Sequence, residues 1–180
     1  MKDKTAAAFV VAFLTALFTG SLAAQTSPEA STPLGVTAQT SINIGEGYAT
    51  GVESVRAAIT VLEIVRGEKA WEMIRGASAS NRPPDSGMQY LCARIRFEFG
   101  EKGSSSERSY GIREEQFASV SENGKQYERP NILLPKPQLN GRLYPGESLE
   151  GWIALLVNSE DRKPLMTFGN NYSRVWFKLF

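Results

Sequence analysis

From Tyr90 to Phe99 the chain alternates without a break. Leu91, Ala93, Ile95, Phe97 and Phe99 fall on one parity, and Tyr90, Cys92, Arg94, Arg96 and Glu98 on the other. A period of two belongs to a β-strand, whose successive side chains point to opposite faces. The pattern predicts a strand with one face in a core and the other mostly wet, so the rest of the chain has to supply a sheet around it.

The flanking segments carry the same rhythm between turn signals. Val52 to Val65 is dense in β-branched residues, with Val55, Ala57, Ile59 and Val61 on one parity before the apolar parity switches to Leu62 and Ile64. A bulge or bend near Leu62 accounts for such a switch. Glu68 to Arg75 breaks the rhythm: Ala70, Met73 and Ile74 share helical spacing, and Gly76 is placed to end a short helix that Trp71 packs onto the sheet. Asn81 to Gly87 is turn-forming, Gly100 to Ser106 reads as a polar loop, and Phe117 to Val120 with Asn123-Gly124 and Tyr127 reads as a hairpin. Pro130, Pro135 and Pro137 keep the next stretch out of a central strand. Tyr144-Pro145-Gly146 opens a strand over Leu149 to Val157 that is apolar on both parities, which places it centrally and covered on both faces. A weak strand over Leu165 to Phe168 and an alternating strand over Tyr172 to Phe180 follow.

About seven or eight short strands, one helical insertion and no βαβ rhythm predict an all-β fold, an antiparallel immunoglobulin-like β-sandwich. A small barrel is the alternative. The predicted domain covers 42–180, after a flexible tail over 25–41 whose Ser, Thr, Ala, Gln and Pro cannot bury enough apolar surface to become ordered.

Residues 1–24 have the order of a secretory signal: Lys2 and Lys4, an apolar run from Ala6 to Phe18, then small residues through Ala24. The expectation is an extracytoplasmic protein that meets the membrane only through this signal before cleavage. With Cys92 as the single cysteine, an exported domain has no internal disulfide to lean on and depends on its apolar core. Cleavage after Ala24 removes Lys2, Lys4 and Asp3 and leaves acidic and basic residues in balance, so no general pull toward nucleic acid remains.

Histidine is absent, which excludes His-dependent triads and the commonest transition-metal ligand. Beyond the leader the only aspartates are Asp85 and Asp161, too few for an Asp-rich calcium loop. No glycine-rich phosphate loop, Ser-x-x-Lys pair or zinc spacing is present, and no cofactor is expected.

Four groups of residues suggest further structure. These are Ile44-Gly45-Glu46, Val61 through Gly67 into Glu68-Lys69-Ala70-Trp71, Asn81 through Pro83-Pro84 to Tyr90, and Tyr144-Pro145-Gly146-Glu147 ahead of Gly151-Trp152 and a final aromatic strand. On these residues the chain resembles a family of secreted bacterial immunoglobulin-like domains of unknown function, some of which are labelled telomeric repeat-binding factor. The resemblance spans Ile42 to Phe180. It implies an exported β-sandwich at or near the cell envelope and supplies no catalytic residues.

The candidate ligand-binding residues are Tyr172, Arg174, Trp176 and Lys178, which with Phe180 share one parity of the last strand. Such an aromatic and basic stripe can stack sugar rings or grip an extended peptide, if no helix, tail or loop covers it. Trp71 and Trp152 are read as core. Glu114-Glu115 and Glu160-Asp161 are read as solvated loop charges, because neighbours on a strand point to opposite faces. Arg94, Arg96 and Glu98 form either a binding ladder or an ordinary wet row. Cys92 is read as a partly covered, inert thiol and Asn171-Tyr172-Ser173 as an idle sequon. The resulting expectation is a non-enzymatic module that binds an envelope or extracellular protein, peptide or glycan. The alternative is an accessory or inhibitory domain that wedges the Asn81 to Gly87 loop into an extracellular hydrolase.

Overall fold

The strand read from the alternation becomes β3, Met88–Phe99, and its odd-numbered residues from Leu91 to Phe99 are completely buried. A computed structural model describes residues 27–45, 52–101, 108–169 and 174–180. In chain order the described elements are β1 (Thr37–Ile44), β2 (Glu53–Arg66), α1 (Glu68–Ala77), β3, β4 (Tyr110–Ile112), β5 (Phe117–Val120), β6 (Gly141–Leu143), β7 (Glu147–Asn158), β8 (Leu165–Phe168) and β9 (Val175–Lys178). The fold is mostly β, with antiparallel sheets and one short helix. The strands pair in the orders β1-β2-β3-β7, β4-β6 and β5-β8-β9.

One apolar cluster draws on both larger sheets. Ile59, Val61, Ile95, Phe97 and Ile153 come from the first, and Phe117, Met166, Phe168 and Phe177 from the second. Phe168 joins them, with its ring centroid 5.8 Å from Phe97 and 4.9 Å from Phe117. The expected bend near Leu62 is present as a register shift between Val61 and Glu63. Beyond the shift Ile64 stays on the face of the first cluster, while Val65 packs against a second cluster formed with α1 by Ala70, Ile74, Tyr90, Cys92 and Ala154.

Several expectations need correction. Order starts before Ile42: β1 begins at Thr37, and Thr32 is buried where its N–H reaches Trp176 and its carbonyl accepts from Lys178. Main-chain pairing supplies there what apolar content does not. The second face of β3 is not mostly wet, because α1 lies over Tyr90 and Cys92. The helix continues through Gly76 to Ala77 and is closed by Ser78 N–H donating to Ile74 O. β7 is apolar on both parities, yet it ends its sheet instead of sitting at the centre. Its outer edge is covered by main chain, with Trp152 N donating to Pro137 O at 2.7 Å and Leu139 N to Trp152 O at 3.1 Å. The last strand runs Val175–Lys178. The signal segment, most of the Gly100 to Ser106 loop and the sequon fall outside the described residues.

Candidate functional site

The proposed stripe on the last strand is not an open platform. Trp176 is 8% exposed, packed with Val120 and Leu165, so the exposed indole that a stacking face requires is missing. The guanidinium of Arg174 lies 5.7 Å from the Trp176 ring centre, and Lys178 lies 6.0 Å from that of Phe180. These cations therefore already meet aromatic faces of their own chain. Tyr172 lies outside the described residues.

On the uncovered part of the first sheet, Arg94 and Arg96 converge on one carboxylate. Arg94 reaches Glu150 Oε2 at 3.0 Å, and Arg96 Nε reaches Oε1 at 2.7 Å. The bond from Arg96 is the main reason the Glu150 carboxyl is held below its ordinary range. The row is thus engaged within the sheet, and Glu98 beside it is exposed. Cys92 is fully buried under α1, and burial pushes its thiol up to about 12. A thiol held protonated in this way is a poor nucleophile.

The acidic pairs separate. Glu114 starts a 3-10 turn, Glu114–Gln116, and is half-buried, while Glu115 is exposed. Burial and the neighbouring Glu115 raise the Glu114 carboxyl above its ordinary value, and Arg129 opposes them. Glu114 lines a small cavity of about 170 Å³ together with Tyr127, Glu128 and Arg129. Asp161 accepts from the Tyr127 hydroxyl at 2.7 Å, while Glu160 stays exposed. Among the described residues, no three His, Cys, Asp or Glu side chains are grouped to hold a metal ion, and no helix is long and apolar enough to cross a membrane.

Asn81, which the sequence presents only as a turn residue, ties α1 to the segment opposite. Its amide donates to Ile74 O at 2.7 Å and Leu133 O at 2.8 Å, and its oxygen accepts from Leu133 N at 2.8 Å. Between these walls lies a groove of about 550 Å³, lined by Met73, Gly76, Leu133 and Pro135 among others. The wedge loop that starts at Asn81 is fixed at its far end, where Ser159 N and Oγ donate to Gly87 O.

Among the described residues, β1 ends the four-stranded sheet with no strand on its outer side. Gly100 N donates to Arg56 O at 2.8 Å, which aims the main-chain groups of Arg56 at β3. Alternate residues of an antiparallel ladder aim to opposite sides. Val55, Ala57 and Ile59 therefore aim at β1, where they face Ile42, Thr40 and Ala38. Those residues complete the ladder, and Gln39, Ser41 and Asn43 direct their N–H and C=O groups outward. The 2.8 Å contact between the Thr37 and Thr60 hydroxyls agrees, because non-hydrogen-bonded pairs bring side chains closest. No described residue pairs with the outward groups. β1 is eight residues long, Thr-Ala-Gln-Thr-Ser-Ile-Asn-Ile, and carries no charge and no proline. Beside it opens a cleft of about 300 Å³ lined by Thr40, Ile42, Asn43, Tyr110, Gln116 and Phe168 with their neighbours.

Comparison with known proteins adds little to this geometry. No family model matches the chain, and no curated protein matches it. Among solved structures it is similar to a putative lipoprotein, ycdA, from Bacillus subtilis subsp. subtilis str. 168. The similarity has a TM-score of 0.49 at 9% identity, and covers 68% of this chain and 35% of that one. The chain therefore spans about a third of that protein's length.

Proposed function

We propose that this chain is an exported, non-enzymatic interaction module that receives an extended polypeptide segment of an envelope or extracellular protein as an added strand along β1. One observation carries the reading: the outward main-chain groups of Gln39, Ser41 and Asn43, on an edge that lacks the usual protection. Exposed edges are ordinarily shielded by charge, proline, bulges or short length, because they template the pairing of another chain. This edge is long, uncharged and regular. Each of the three residues offers one donor and one acceptor, and strand addition satisfies such a row where a flat glycan would not. The two larger sheets are read as the halves of an immunoglobulin-like sandwich, a reading supported by their shared core. Export is read from the charged, apolar and small-residue order of residues 1–24.

Ser41→Pro is the decisive variant. The lost N–H points away from β2, and proline is tolerated on an edge strand where its nitrogen faces solvent. Peptides selected from a random phage library on the mature chain should lose binding to Ser41→Pro while the melting temperature holds. Undiminished binding to that variant, or a library that yields no binder, would overturn the proposal.

A further inference from the structure

We infer that the cleft beside β1 is a side-chain pocket that selects an uncharged, apolar residue of the added segment. The inference rests on the strand-addition reading and assigns that site its specificity.

An added strand keeps the parity of its neighbour, so residues paired with Thr40 and Ile42 point to the same face as those two. That face holds the cleft. Its inner wall is aromatic: Tyr110 stacks on Phe97 and Phe99, with ring centroids 5.7 and 5.5 Å apart, and Phe168 packs on Phe97 and Phe117. Gln116 fixes Tyr110 in place. Its amide nitrogen donates to the Tyr110 hydroxyl at 2.8 Å and to Gly111 O at 3.1 Å, and its oxygen accepts from Arg113 N at 2.9 Å. The polar groups of Gln116 are thus used within the wall, and the Tyr110 hydroxyl retains its own proton to donate. All eight lining residues are uncharged: Thr40, Ser41, Ile42, Asn43, Tyr110, Gln116, Phe168 and Gly169. A charged side chain placed here gives up its hydration and meets no counter-ion among the lining residues, whereas an apolar one exchanges water for aromatic contact. The occupant is therefore an uncharged segment of alternating pattern, with an apolar residue opposite Thr40 or Ile42.

The test is library selection on the mature chain and on Thr40→Glu, with melting measured for both. The Thr40 N–H and C=O face β2, so this variant leaves the outer edge intact and puts a carboxylate at the cleft. Peptides selected on the unmodified chain should share one apolar position, and replacing that residue with Asp should weaken binding about tenfold or more. Peptides selected on Thr40→Glu should carry Lys or Arg there instead. If Thr40→Glu does not fold, Thr40→Leu, which narrows the cleft, should shift the shared position toward smaller residues. Binders that depend on Ser41 but share no apolar position, or whose preference is unmoved by either variant, would sink the pocket while leaving strand addition standing. Indifference to Ser41→Pro would remove the edge reading itself.

Discussion

Gly151→Ala should be among the most damaging small substitutions in this chain. A Cβ at Gly151 would sit 2.3 Å from Leu139 N, 2.4 Å from Gln138 C and 2.6 Å from Gln138 O. All three are main-chain atoms, so no rotamer change relieves the clash, and the 137–139 segment must withdraw from β7. Withdrawal breaks the two bonds that segment makes to Trp152, at about 0.5 to 1.5 kcal/mol each. It also lifts the Leu139 side chain, which is completely buried. Full truncation of such a residue costs about 2 to 5 kcal/mol, and partial displacement a fraction of that. The sum is about 2 to 5 kcal/mol. Gly76→Ala is the matched control, because a Cβ there meets nothing within 4 Å. A helical alanine in place of glycine should add about 0.5 to 1 kcal/mol. Urea unfolding followed by tryptophan fluorescence measures both. A Gly151→Ala variant within about 0.5 kcal/mol of the parent would refute the close approach of the 137–139 segment to β7.

Trp176→Ala should lower stability by about 3 to 5 kcal/mol, as for a core aromatic, because the indole is buried against Val120 and Leu165; a thermal melt unchanged by the substitution would contradict that burial. Cys92 should resist iodoacetamide at pH 8 in the folded protein and react once urea unfolds it, since burial holds the thiol up at about 12; rapid native-state alkylation would show α1 to be loosely seated. Glu114 has its folded value raised above the ordinary 4.5, so its favourable contribution is complete below that value and is lost as pH rises through the folded one. Glu114→Gln should therefore flatten the decline in stability above pH 4.5, and a decline unchanged by the substitution would mean that another group causes it.

The core of β3 is legible in the sequence because its alternation is strict and its apolar residues are large. β1 is not, since only Ala38 and Ile42 in it are buried and its polar residues resemble those of a disordered tail. Its order comes from eight cross-strand pairs with β2, a property of the partner and not of its own composition. The doubly apolar pattern of β7 reports correctly that both faces are covered. It is silent on which elements lie around the strand: the helix cluster covers one face, and the 137–139 segment bonds to the edge where a central position called for another strand. For Trp176 the alternation gives the parity but not the identity of the neighbours: Leu165 comes from the adjoining β8, and Val120 from a part of the chain remote in sequence. Asn81 reads as a turn former because its three bonds go to Ile74 and Leu133, and the Leu133 partner is remote in sequence. The open edge could not be read from residues at all, because whether a strand is last in its sheet is decided by topology.

Hydrogen exchange at the β1 amides tests the account most directly. In the free protein the amides of Thr40 and Ile42, bonded to β2, should exchange slowly, while those of Gln39, Ser41 and Asn43 should exchange quickly. Saturation with a library-selected peptide should slow the second set and leave the first unchanged. If the peptide binds while Gln39, Ser41 and Asn43 continue to exchange at their free rates, the edge of β1 is not where the partner lies.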